Sequence, residues 1–116
     1  FQYINAHGTG TSANDPTETE AIRLLFGGHA DRLAVSSTKS MHGHALGAAG
    51  AIEAVAAVLA VAEQMAPPTA NFTEADPACD LDVVPNESRK VEMEFALSNS
   101  FAFGGLNAVL AFRRCA

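Results

Sequence analysis

Residues 5–18 read NAHGTGTSANDPTE, which places His7 between an apolar run and a loop of glycine and threonine that leads into a helix-start signal. An imidazole at such a loop can exchange protons near neutral pH, and a glycine-rich loop before a helix can cradle phosphate. The phosphate reading is the weaker one. Gly8 and Gly10 have neither the third glycine of a dinucleotide fingerprint nor the GK[ST] of a phosphate loop. Taken alone, the histidine could also be no more than the cap of a strand. It has company, however. Lys39, His42 and His44 fall in a second polar cluster, STKSMHGHALG, and Gly104 and Gly105 fall in a third, AFGGLN.

The elements around these clusters decide whether they can meet. Residues 3–6 read as a short buried strand, and DPTE then opens a helix. In that helix Asp15 is the expected N-cap, Pro16 the first helical residue and Glu18 the capping-box partner. Ala21, Ile22 and Leu25 form its expected apolar face, and Gly27 and Gly28 end it. Residues 33–37 read as a second strand. Residues 45–62, ALGAAGAIEAVAAVLAVA, are nearly long enough to span a bilayer, but they contain Glu53, Gly47 and Gly50 and are mostly alanine. A buried helix ending near Gln64, ahead of Pro67 and Pro68, is the expectation.

Residues 67–94 are rich in proline, asparagine and acidic residues and read as a connecting excursion, with LDVV as a short edge strand. Residues 95–101 and 108–112 are two β-rich runs whose glycine-paired junction implies a hairpin or a close backbone approach to a ligand. Strands alternating with helices predict an α/β protein with a parallel sheet and right-handed crossovers. Each polar cluster then follows a strand. Ligands of open α/β sheets bind beyond the carboxyl ends of the strands, so the three clusters are expected to converge.

Bulk properties narrow the chemistry. With 116 residues, 48% hydrophobic content and a mean hydropathy of +0.11, the chain is expected to form one packed domain rather than a disordered segment. A net charge of -6 with scattered basic residues excludes a nucleic-acid or anionic-membrane surface. Cys79 and Cys115 show no metal-ligand spacing, so no metal is expected, and a reducing, cytoplasmic setting is. His29 is expected in a solvated helix-to-strand loop. The chain begins inside a strand without an initiator methionine, which suggests a piece of a longer protein.

NAHGTGT, SSTKSMHGHALGAAGA and ALSNSFAFGGLNAVL resemble, in order and spacing, the three C-terminal signatures of β-ketoacyl synthases, and DLDVVPNESR is similar to a further segment of that family. These are the condensing enzymes of fatty acid and polyketide synthesis. The resemblance runs essentially the full chain and implies the C-terminal half of a thiolase-like fold. That half is a mixed five-stranded sheet with flanking helices, in which the small-residue helix lies in the central layer. The N-terminal half, with the nucleophilic cysteine at a helix N-terminus, would lie outside these 116 residues.

By the same resemblance, His7 and His44 match the two histidines that donate hydrogen bonds to a malonyl thioester carbonyl as enolate charge develops. Lys39 matches the lysine that sets the electrostatics of the site, and Glu18 the acid paired with it, although Glu18 could equally be the capping-box glutamate alone. Thr9 and Thr11 match the hydroxyls that bind the pantetheine arm of an acyl carrier. Phe103 matches the gating phenylalanine whose backbone N–H completes an oxyanion hole, with Gly104 and Gly105 freeing its loop. Phe101 reads as a core aromatic and His42 as a neighbour rather than a catalyst.

The resemblance implies decarboxylative Claisen condensation of malonyl-acyl-carrier-protein (malonyl-ACP) with an acyl-enzyme thioester, without a cofactor. The expected partners are an acyl carrier protein bearing phosphopantetheine-linked acyl and malonyl groups, the N-terminal half, and a second copy in a homodimer. A thiolase would carry a further cysteine where FAFGG stands. The competing expectation is a non-catalytic partner of the chain-length-factor kind, or a structural half-domain. Neither Cys79 nor Cys115 sits in the setting of an activated nucleophile.

Overall fold

The computed structural model describes residues 1–115. Its main sheet holds β1 (Tyr3–Asn5), β2 (Ala34–Ser36), β5 (Phe95–Ala102) and β6 (Leu106–Arg113) in the order β2-β1-β5-β6. β1 lies parallel to β2 and β5, whereas β5 and β6 form an antiparallel hairpin with Ala102 opposite Leu106. The sheet is therefore mixed, as expected, but it has four strands rather than five among the described residues. LDVV contributes a single parallel bridge, Asp82 to Ala34, with Val35 N donating to the Asp82 carbonyl at 2.8 Å. Asp82 also pairs with Arg89 and accepts from Val84 N, so its stretch turns away after one residue instead of extending a strand. The sequence does not announce a small antiparallel pair, β3 (Met65–Ala66) with β4 (Arg89–Lys90), that closes the excursion.

Among the described residues three α-helices, α1 (Asn14–Phe26), α2 (Lys39–His42) and α3 (Ala49–Glu63), and two 3-10 turns, Gly27–Arg32 and Leu46–Ala48, complete the fold. Alternation along β1 sends Tyr3 into a cluster with Ala60, Val61, Met93 and Ala96, and Ile4 into a second cluster with Ile22, Leu33, Val35 and Leu97. α3 and α1 thus cover opposite faces of the sheet. α3 ends before the prolines, where Gln64 adopts a left-handed conformation (φ 56°) and its side chain bonds Met93 N and O.

Three expectations need correction. α1 starts at Asn14, not after an Asp15 cap, because Thr11 Oγ1 accepts the Asn14 N–H and Asp15 turns its carboxylate back to Gly10 N. Its buried face is Glu18 and Ile22, while Leu24 and Leu25 are exposed and Ala21 lies outward. α3 is not a fully buried helix. Its face toward the sheet is covered, and Ile52, Val55, Val58 and Leu59 are open.

Candidate active site

Parallel pairing sets Asn5, Ser36 and Ser98 level with one another across three strands. The chain leaves those strands in one direction, so His7, Lys39 and Phe101 emerge at the same carboxyl edge. Two of the three expected clusters meet there, whereas the third, with Gly104 and Gly105, stands at the exposed hairpin tip and only the preceding Phe101 reaches His7.

The loop carrying His7 is held from two sides. Gly8 has φ +44°, and a Cβ there would lie 2.4 Å from the Ser37 Cβ, so only glycine lets the loop press against the end of β2. From the other side comes the buried carboxylate of Glu18. Its Oε1 accepts from His7 N at 2.9 Å and Asn99 Nδ2 at 3.0 Å, and its Oε2 from Gly8 N at 3.0 Å and Asn14 Nδ2 at 3.1 Å. Four donors occupy both oxygens. Glu18 is therefore neither the cap of its own helix nor the partner of Lys39, since two loop amides without strand partners draw it inward.

The acid that pairs with Lys39 is Glu53, on α3. Both side chains are buried, and Glu53 Oε2 has no hydrogen-bond partner among the described residues. Buried charges are paired, so the one charge inside the apolar stretch 45–62 is the signal that could have identified Glu53 from the sequence. Lys39 Nζ also lies 3.4 Å from His7 Nδ1. An ammonium can only donate, so His7 Nδ1 accepts and its proton resides on Nε2. Burial, reinforced by the charge of Lys39 and by His44, holds His7 below the usual imidazole range and so keeps it neutral.

His44 presents the same tautomer through a different contact. Leu46 N donates to its Nδ1 at 3.1 Å, which leaves Nε2 as the donor. The two imidazoles stand edge to face with centroids 5.6 Å apart, and Phe101 lies 5.5 Å from His7. Phe101 is half-buried and packs on His7, so it is not a core aromatic. Phe103 is 100% exposed at the hairpin tip beside Gly104 and Gly105, both at φ +80°, apart from the buried cluster. Thr9 and Thr11 bond each other through their hydroxyls at 3.0 Å on the exposed loop. His29 is half-buried and bonds Phe1 O at 2.8 Å.

A cavity of about 440 Å³ opens beside this cluster, and Gly8, Thr9, Lys39, His44 and Cys79 are among its lining residues. The Cys79 thiol is pushed up, first by burial and then by Asp76, Asp15 and Asp80, against a hydrogen bond from Thr19. Asp82, three residues on, is turned to Arg89 and does not join them. Among the described residues no three His, Cys, Asp or Glu side chains are grouped to hold a metal. The arrangement offers two Nε2–H donors side by side and a buried cation–anion pair behind one of them, with the Cys79 thiol held up.

Residues 1–73 match the family described as beta-ketoacyl synthase, C-terminal domain. Over 97% of its length the chain is 62% identical to nodulation protein E of Rhizobium sp. strain N33, and 61% identical to 3-oxoacyl-[acyl-carrier-protein] synthase 2 of Synechocystis sp.. It spans 28% and 27% of those two proteins. A solved complex of a type II polyketide synthase acyl-carrier protein with its ketosynthase bound to the hexaketide superimposes on 99% of the chain, with a TM-score of 0.96 and 42% identity, and the chain covers 28% of the matched chain. The mixed sheet between helices is accordingly that of a thiolase-like ketosynthase. The chain therefore belongs to the β-ketoacyl synthase family, as its C-terminal domain.

Proposed function

We propose that this domain is the C-terminal part of an acyltransferase that elongates acyl chains, and that it supplies the decarboxylation machinery but not the nucleophile. In this reading a malonyl thioester on an acyl carrier protein places its carbonyl oxygen between His7 and His44. The carboxylate leaves as CO2, and the electron pair of the broken C–C bond becomes an enolate whose oxygen receives both Nε2–H groups. The enolate carbon then attacks the carbonyl of an acyl chain held on a cysteine. The C–S bond breaks, and the thiolate leaves with that electron pair.

The observation that carries the reading is the matched protonation of the two imidazoles, each with Nδ1 occupied as an acceptor and Nε2–H free to donate. Lys39 and Glu53 keep His7 in that state, and Glu18 fixes where it stands. Thr9 and Thr11 would meet the amides of the phosphopantetheine arm, and the backbone N–H of Phe103 would complete an oxyanion hole for the acyl thioester, with Gly104 letting the tip move. The open apolar face of α3 supports covering by an N-terminal half that carries the cysteine. A homodimeric, cytoplasmic enzyme without a cofactor completes the proposal.

The division of labour is tested by incubating the chain with acyl-ACP and reading its intact mass. Cys79 and Cys115 are expected to remain unmodified, because burial and nearby carboxylates disfavour the Cys79 thiolate and Cys115 is an exposed terminal thiol. A stoichiometric acyl adduct on either cysteine would overturn the claim that the nucleophile is supplied from elsewhere.

A further inference from the structure

One hydrogen-bonded chain crosses the base of the site and ends on a histidine that the proposed chemistry does not use. Its inner member is Asn5, completely buried two residues before His7. Asn5 Nδ2 donates to Thr38 Oγ1 at 3.1 Å and to the Glu53 carbonyl oxygen at 3.4 Å, and Asn5 Oδ1 accepts from Thr38 N at 3.3 Å. Asn5 thereby ties together the three backbone stretches that carry His7, Lys39 and Glu53. The outer member is His42, whose Nδ1 lies 2.8 Å from the Gly43 carbonyl oxygen and whose Nε2 lies 3.1 Å from Thr38 Oγ1.

Donor and acceptor chemistry orders this chain. A carbonyl oxygen can only accept, so the His42 ring proton sits on Nδ1. Nε2 of the neutral ring then accepts, and the Thr38 hydroxyl donates outward to it while receiving the Asn5 amide. The opposite direction would send the hydroxyl proton to Asn5 Oδ1 at 3.5 Å, an atom that already takes the Thr38 N–H. That contact is too long to compete. We infer that His42 is a positioning residue for the decarboxylation step: by accepting the Thr38 hydroxyl proton it sets the Asn5–Thr38 brace, and with it the placement of His7 against the Lys39–Glu53 pair. The inference rests on the reading of His7 as a carbonyl donor, and His42 acts only through Thr38.

The test uses the whole condensing enzyme that contains this domain. His42→Ala and Thr38→Val are each expected to slow malonyl-ACP decarboxylation about three- to tenfold, the size of one lost neutral hydrogen bond, with KM and acyl loading unchanged. Because they cut the same link, the double variant is expected to be no slower than the slower single one. In enzyme labelled with 15N-histidine and held above pH 8, the ring proton is expected on Nδ1 of His42 and on Nε2 of His7 and His44. Additive losses in the double variant, an equal loss of acyl loading, or a His42 proton on Nε2 would each overturn the inference. The ring spectra do not depend on turnover. A wild-type enzyme without decarboxylation would therefore contradict the proposed function while leaving the His42 assignment separately decided.

Discussion

The two faces of α3 reverse the usual distribution of residues. Toward the sheet the helix presents Ala49, Ala57 and Ala60, with Glu53 among them at 0% exposure; away from it Val55 and Leu59 are 60% and 54% exposed. A helix whose only task was to close this core would turn its leucine inward and its glutamate out. The inner face has instead been given to holding one charge against Lys39. Small side chains around that charge let the helix approach the strand that carries His7. The outer face has the composition of an interior with nothing on it, and β6, which packs beside α3, continues this exposure through Leu106, Val109 and Leu110. Under the proposed function the inner face serves the chemistry and the outer face assembly, and the contrast makes both assignments breakable.

The largest effect is expected on the inner face. Lys39→Met leaves Glu53 buried without a counter-charge, and its second oxygen is already unpartnered among the described residues. Loss of one member of a buried pair costs about 3–5 kcal/mol, to be read as a fall in the denaturant midpoint of the whole enzyme. Lys39→Met combined with Glu53→Leu is expected to recover much of that loss, because a buried charge no longer remains. A double variant as unstable as the single one would mean that the pair does not act as a unit.

A smaller effect is expected at Glu18. Glu18→Gln keeps the shape but turns an NH2 toward N–H groups that now find an acceptor, and an unmet buried donor costs about 1–3 kcal/mol. Decarboxylation should fall with it, because either orientation of the new amide releases one of the two loop N–H groups, His7 N or Gly8 N, together with the asparagine that shares its oxygen. Unchanged decarboxylation would reduce Glu18 to a structural residue. The smallest effect belongs to the outer face. Val55→Thr and Leu59→Gln should change the fold's own stability by no more than about 0.5 kcal/mol, as exposed substitutions do. They should nevertheless weaken association with the N-terminal half, measured by co-purification of the two halves. Undiminished association would show that this face is not the interface.

Much of this arrangement is legible in the order of the residues. Residues 3–6 and the glycine-bearing loop after them mark a strand end, and the hairpin around Gly104 and Gly105 falls where the glycine pair indicates. Convergence of His7 with the Lys39–His44 turn follows from the parallel order of β1 and β2. The acids are harder. A Glu at the fourth position of DPTE looks the same whether its carboxylate turns to its own helix or back to the preceding loop, and only folding shows that two loop amides compete for it. Glu53 is separated from Lys39 by 14 residues, a contact that exists only once α3 has crossed the sheet. Phe101 and Phe103 are indistinguishable by type, and their difference lies in which one the hairpin register turns onto His7.

The central claim is that His7 and His44 donate to a developing enolate and take no part in forming the acyl-enzyme. The direct measurement is the rate of CO2 release from malonyl-ACP alongside the rate of acyl loading, in the whole enzyme and in its His7→Ala and His44→Ala variants. Loss of an oxyanion donor costs about 10²–10³ in rate, so decarboxylation should fall by that order in each variant while loading stays within a few-fold of wild type. Equal losses in both steps would contradict the account and make the two histidines parts of the framework.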